Sequence, residues 1–310
     1  MTSHSINSET RPHFHALLQK CKQLPSLKTA VVCPEEPTAL AGAIEAMQEG
    51  LITPILVGNR DQIINAANEC QIDISSLEIV EAEGEQQSAH RGVDLVVEGR
   101  ADALMKGHIH SDTYLSAVIR RENGLRTKNR TSHCFVMDIP HWPKPVIITD
   151  AALNIAPDLN IKKSIIENAI ELACAIGVNE PKVAVLSATE AANPAIPSSV
   201  EADELSKITF EGAKVDGPFA LDNAVNTQAA ELKGIQSPVA GQADILVVPT
   251  IEAGNIFFKA LTFMAGSETA GLVVGAKAPV ILTSRADSAD ARIASCALAV
   301  LYAERLNERN

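Results

Sequence analysis

Aromatic side chains are scarce in this chain, at 3% of 310 residues, although 46% of the residues are hydrophobic. The interior must therefore be packed from Ala, Val, Ile and Leu, and the stacking platforms that hold single-stranded nucleic acids are missing. Positive charge is also in deficit: 26 Lys and Arg face 38 Asp and Glu, a formal net charge of −12. With a sequence pI near 5.2, the average surface repels a polyanion. That excludes a nucleic-acid partner, and it means an anionic ligand must find a local cationic patch. No uninterrupted apolar stretch reaches the roughly 20 residues of a membrane span, and residues 1–12 are polar where a secretory signal would be apolar. The six cysteines, at 21, 33, 70, 134, 174 and 296, form no C-x-x-C pair. They read as reduced core thiols of a cytoplasmic protein rather than as a disulfide framework or a zinc site. His108 and His110 stand two apart without a Cys or carboxylate cluster to complete a site, so no metal is expected.

What the chain does have is a rhythm. Helical periods over residues 14–24, 37–49, 61–70, 88–98, 114–119 and 162–176 alternate with β-branched or apolar runs at 28–33, 53–58, 78–82, 103–105, 134–139, 146–149, 182–186 and 245–248. This alternation predicts parallel β-α-β units and an α/β fold class. The length suggests two domains at roughly 100–200 residues each, and the two prolines in residues 141–145 suit a crossing between them. Further along, Val215-Asp216-Gly217-Pro218 reads as a turn, residues 221–232 as one helix and 256–264 as another. Gly254 and Asn255 fall at a strand-to-helix junction, where a bare backbone lets a ligand approach.

Three stretches carry candidate chemistry. Residues 280–282 read as a buried strand that feeds, through Thr283, Ser284 and Arg285, a helical run ending near residue 306. Ligands in open α/β sheets lie outside the carboxyl ends of strands, and the free N–H groups that open a helix attract anions. Two hydroxyls and a guanidinium, whose planar fork fits phosphate oxygens, stand at that place. The bland reading makes Asp287 or Ser288 the N-cap, Asp290 its capping partner and Arg285 a solvated residue. Lys106 ends the strand at 103–105, either facing a ligand or snorkelling at a sheet edge. Arg120, Arg121, Arg126, Lys128 and Arg130, followed by Thr131 and Ser132, make the densest cationic segment. It is a solvated charge run or a polyphosphate contact.

Taken in order, Met105-Lys106-Gly107, Arg130-Thr131-Ser132, residues 148–152, residues 215–224, residues 237–241, Glu252-Ala253-Gly254-Asn255 and Leu282-Thr283-Ser284-Arg285 resemble the phosphate acetyltransferase and phosphate butyryltransferase family. The resemblance covers most of the chain after about residue 100 and is weaker before it. It implies two three-layer αβα domains around a cleft, of the isocitrate and isopropylmalate dehydrogenase kind. Residues 1–140 with 275–310 would form the first domain and 141–274 the second, with the active site between them. It also implies a homodimer and the reversible reaction of an acyl-CoA with inorganic phosphate to give an acyl phosphate and CoA, with CoA as a substrate and no cofactor or metal.

On this resemblance Arg285 would fix phosphate, and Ser284 would hydrogen-bond the oxygen on which charge develops. Arg130, Ser132, Lys106, Thr283, Asn255 and Asp287 would bind substrate. A carboxylate should take the CoA thiol proton, because the thiolate is the nucleophile. The family places that carboxylate seven residues after the serine, where this chain has Ala291, so Asp290 is the expected base. Residues 217–224 and 282–288 look more like butyryltransferases than acetyltransferases. Two other readings stand beside this one: a CoA- or acyl-CoA-sensing protein without turnover, and a decarboxylating dehydrogenase, for which no Asp cluster or G-x-G-x-x-G turn is present.

Overall fold

A computed structural model describes residues 6–122, 124–283 and 287–308. Two compact units share the chain: residues 1–129 with 270–310, and residues 130–269. The first leg runs α1 (Pro12–Cys21), β1 (Leu27–Val32), α2 (Pro37–Gln48), β2 (Ile52–Gly58), α3 (Arg60–Cys70), β3 (Glu78–Glu81), α4 (Gly84–Val97), β4 (Ala103–Lys106) and α5 (Ser111–Val118). The second unit holds β5 (Ser132–Asp138), β6 (Val146–Thr149), α6 (Leu159–Ala175), β7 (Lys182–Leu186), α7 (Pro197–Ser206), β8 (Lys214–Phe219), α8 (Leu221–Val225), α9 (Thr227–Leu232), β9 (Ile245–Val247) and α10 (Ile251–Met264). The chain then closes with β10 (Glu268–Val274), β11 (Val280–Ile281) and α11 (Ala289–Asn307).

In the first unit the strands lie in the order β3-β2-β1-β4-β11-β10. β1 pairs in parallel with both β2 and β4, and β11 pairs in parallel with β4. Ala30, Val31 and Val32 are wholly buried, as expected of a strand covered on both faces, where the run is continuously apolar rather than alternating. β10, which the sequence pattern did not announce, runs antiparallel to β11. α11 is buried nearly all round, from Ile293 to Ala303. A helix enclosed on every side carries no amphipathic stripe, and its many alanines let neighbouring elements approach closely.

The second unit orders its strands β5-β6-β9-β7-β8, with β5 antiparallel to β6 and the rest parallel. Its core gathers Ile148, Ala184, Phe219, Leu246 and Val248, and Phe135 stacks on Phe258 with ring centroids 4.0 Å apart.

Three local expectations are corrected here. Residues 215–218 form a strand, not a turn: β8 is the outer strand of its unit, where a proline lacking its N–H is tolerated, and the register with β7 shifts between Ala184 and Leu186. Residues 221–232 are two short helices, because Asn226 accepts a hydrogen bond from the Ala229 N–H (2.9 Å) and so caps a new start. α10 begins five residues earlier than the pattern suggested, which places Gly254 and Asn255 inside the helix. A Cβ on Gly254 would lie 2.7 Å from the Ala151 Cβ and 2.8 Å from Val248, so this glycine serves packing of the helix and not a ligand's approach.

Gly107 is required by a closer approach still. It follows β4, donates its N–H to Val32 O at 2.8 Å, and a Cβ there would meet the carbonyls of Cys33 and Val32 at 2.4 and 2.5 Å. Backbone cannot swing aside as a side chain does, so Gly107→Ala is expected to part the ends of β1 and β4 and cost about 1–3 kcal/mol of stability. A denaturant melt of the variant checks this, and an unchanged midpoint would refute it.

Candidate functional site in the first unit and its counterpart in the second

The register of β11 on β4 decides what meets at the strand ends. Val280 pairs with Leu104 and Ile281 with Met105, so the next residues on each strand, through Thr283 and Lys106, are carried to the same edge. Lys106 and Thr283 line one small cleft together with His108, Arg292 and the Glu36 residue that precedes α2. Lys106 is 8% exposed and Thr283 9%, and the Lys106 ammonium reaches the Gly107 carbonyl at 3.5 Å. His108 has its backbone N–H tied to Cys33 O at 2.7 Å, and its Nδ1 stands 3.8 Å from a Glu36 carboxylate oxygen. His110, two residues on, has a separate carboxylate, Glu85, 2.8 Å away. The two histidines therefore serve different neighbours. Among the described residues no group of three or more His, Cys, Asp or Glu is arranged to hold a metal.

Ser284 and Arg285 lie outside the described residues. On their far side the chain is held firmly. Ser288 caps α11 by accepting from the Ala291 N–H at 3.0 Å, and Asp290 falls in the helix's first turn. Arg292 donates to the Asp287 carbonyl at 2.7 Å and stands 3.8 Å from Glu45 of α2. Gly42 makes room for it, since a Cβ there would lie 2.7 Å from the Arg292 Nε. Arg292 thus ties the turn before α11 to α2. Sequence reasoning missed it, because a lone Arg one turn into a helix carries no signal until its partner 247 residues earlier is brought beside it.

In the second unit Arg130 and Ser132 are joined through Asn168, whose side-chain N–H₂ donates to the Arg130 carbonyl (2.8 Å) and to the Ser132 hydroxyl (3.0 Å). Ser132 is wholly buried and Thr131 is 6% exposed, while Arg130 is exposed. The Arg130 Nε donates to the Asn154 side-chain oxygen at 3.1 Å. Asn154 in turn donates to Asp150 (2.7 Å) and to the Thr131 carbonyl (3.0 Å). Asp150 also accepts from the backbone N–H groups of Ala152, Leu153 and Asn154. Burial pushes its carboxyl pKa up, against the pull of these donors. Of the remaining cations of residues 120–130, Arg120 pairs with Asp94. Asn255 lies in the second turn of α10 and is half-buried.

A family model described as Phosphate acetyl/butaryl transferase matches residues 86–300. The chain belongs to this family. It is 50% identical over 281 residues to a phosphate acetyltransferase of Rhizobium meliloti, a match covering 89% of each chain. It is 40% identical over 297 residues to a phosphate butyryltransferase of Clostridium beijerinckii, covering 94% of this chain and 98% of the relative. Among solved structures, a branched-chain phosphotransacylase from Enterococcus faecalis V583 superposes with a TM-score of 0.78 at 34% identity, covering 89% of this chain and 99% of that one. This member of the family is therefore a phosphate acyltransferase. No helix among its described residues is long and apolar enough to cross a membrane.

Next to Ser132 the acyltransferase buries a histidine. His133 is wholly enclosed, its ring centroid 4.2 Å from that of Phe135, and neither ring nitrogen has a hydrogen-bond partner among the described residues. Burial alone pushes its pKa down to about 3. A base whose folded pKa is depressed contributes stability that is present above the unfolded value near ~6.5 and is lost as pH falls toward the folded value. An apolar replacement leaves no donor stranded. His133→Leu is expected to be at least as stable as the wild type at pH 7.5, and its advantage is expected to grow by about 2 kcal/mol at pH 5. Urea titrations at the two pH values decide the matter; equal pH slopes in both proteins would contradict it.

Proposed function

We propose that this phosphate acyltransferase converts a short-chain acyl-CoA, butyryl or acetyl, and inorganic phosphate into an acyl phosphate and CoA at the end of β4 and β11. The observation that carries the reading is the strand pairing that sets Thr283, the residue before Ser284 and Arg285, in one cleft with Lys106. In an acidic protein such a pocket, with a buried ammonium and a guanidinium close by, is a place where a hydrated dianion is attracted and held. Arg285 fixes the phosphate and neutralises charge as its oxygen attacks the thioester carbonyl, Ser284 hydrogen-bonds the oxyanion, and Thr283 and Lys106 complete the phosphate contacts. Asp287 and Asp290 flank this turn. On the second unit Arg130, oriented by Asn154 and Asp150, is the cation proposed for a substrate phosphate, with Ser132 and Asn255 as further substrate contacts. The reaction calls for no metal and no cofactor; CoA and its thioester enter as substrates.

Each unit is read as helices layered on both faces of its strands, in the manner of the isocitrate and isopropylmalate dehydrogenases. A cytoplasmic setting suits the thiols of Cys21, Cys33, Cys134 and Cys296, which burial pushes up to about 12 and so keeps unreactive. A homodimer is supported by α10, a strongly apolar helix on which only Gly254 is buried. Ile256, Phe263 and Met264 are 69%, 76% and 86% exposed, and apolar area of that kind on a monomer marks an interface.

Three measurements bear on these readings. Under arsenate, which replaces phosphate and yields a product that hydrolyses, the wild type is expected to consume acetyl-CoA and butyryl-CoA, with the longer acyl chain favoured by the ~1–3 kcal/mol that methylenes can contribute in an apolar pocket. Arg285→Ala is expected to raise the phosphate KM and lower turnover by about 10²–10³-fold; near-normal kinetics would remove the site from this turn. Phe263→Asp is expected to shift the sedimenting species from dimer to monomer without loss of secondary structure, and an unchanged sedimentation coefficient would reject α10 as the interface.

A further inference from the structure

We infer that His108, backed by Glu36, is the base that takes the proton from the CoA thiol. The inference rests on the placement of acyl transfer at the end of β4 and β11. A thiol with a pKa near ~8.5 must lose its proton to become a nucleophile at neutral pH, and the cleft beside Thr283 needs an acceptor within reach of the reacting sulfur. Ala291, in the first turns of α11, is 2% exposed and apolar. Asp287 has its carbonyl engaged by Arg292, and its carboxylate and that of Asp290 are the competitors.

His108 has three properties of a positioned base. Its main chain is pinned to the end of β1 by the Cys33 carbonyl, so the residue cannot wander. Its side chain is 41% exposed and lines the same cleft as Lys106 and Thr283. Its Nδ1 stands 3.8 Å from the Glu36 carboxylate, an orientation that favours the tautomer with the proton on Nδ1 and leaves Nε2 as the acceptor. The other charges set around it are Lys106 on β4, Arg292 on α11 and Glu85, itself paired with His110.

In the direction that consumes acyl phosphate, the S–H proton passes to His108 Nε2 as sulfur bonds to the acyl carbon. The bond from that carbon to the bridging oxygen breaks, and its electron pair leaves with phosphate. In reverse, the imidazolium returns the proton to the departing thiolate. His108 went unremarked as a base in the sequence because Glu36 lies 72 positions earlier and only the β1 and β4 pairing brings the two together.

The test is the pH dependence of acyl-CoA formation from acyl phosphate and CoA, measured from pH 6.5 to 9.5 for the wild type, His108→Gln, Glu36→Gln and Asp290→Asn. Loss of a general base costs about 10²–10⁴-fold. His108→Gln is expected to lose at least about 100-fold in kcat at pH 7 and to recover to within about tenfold by pH 9.5, where the thiol ionises unaided. Glu36→Gln is expected to show a smaller deficit with the same pH trend. A His108→Gln deficit that is equal at every pH, as a structural role would give, or activity within about threefold of the wild type at pH 7, would overturn the inference. So would the pH-dependent deficit appearing in Asp290→Asn instead. Arg285→Ala measured alongside separates the two levels: if it is also near normal the site itself is misplaced, whereas an impaired Arg285→Ala with a pH-flat His108→Gln sinks only the base assignment.

Discussion

The pairing of a two-residue strand, β11, against β4 is the constraint on which the site of the first unit depends. β11 is short, yet both of its residues are wholly buried, and the register leaves no choice of face, because a slip of one residue would turn every side chain over. Fixed in this way, the chain leaves the sheet at Thr283 beside Lys106 and enters α11 under a serine cap. Arg292 spans from α11 to the Asp287 carbonyl and to Glu45. The proposed anion site would need donors whose positions are set before the ligand arrives, since groups already oriented do not have to be reorganised during the reaction.

Close backbone approach is the second requirement. Gly107 sits where the carbonyls of Val32 and Cys33 leave no room for a Cβ, and the same tight crossing brings Glu36 to His108. Lys106 ends β4, His108 follows it by two residues and Glu36 occupies the N-cap position of α2, so all three are held close to the ends of two adjacent parallel strands, and groups held by rigid elements keep their geometry better than groups on mobile ones. The second unit achieves a comparable result by other means. Asp150 folds the turn after β6 around its own carboxylate and passes orientation through Asn154 to Arg130. Its burial cost is offset by the backbone N–H groups of Ala152, Leu153, Asn154 and His133 and by the Asn154 amide, the condition under which a buried carboxylate is tolerable.

Hydrophobic periodicity carried most of the fold. The strands at 28–33, 53–58, 146–149 and 182–186 and the helices opening at Pro37 and near residue 61 were legible because a buried parallel strand is a continuous apolar run and a helix repeats at 3.6 residues. β10 escaped notice because Glu268 and Thr269 open it with polar residues and Gly271 interrupts it. β8 was mistaken for a turn because Gly217 and Pro218 usually make one, and only its place as an outer strand renders them harmless.

For the site, the sequence alone determined the chemical types: a Thr-Ser-Arg run at the carboxyl end of a strand, a lysine at the end of another and an arginine before a third, enough to identify the family before any coordinates. Residue type and local spacing are properties of the chain, so they can be read from it. Which distant residues stand together was decided by tertiary structure only, since Glu36 with His108, Arg292 with Glu45 and Gly42, and Asn154 with Arg130 are joined by strand register and helix packing that no short window of sequence encodes.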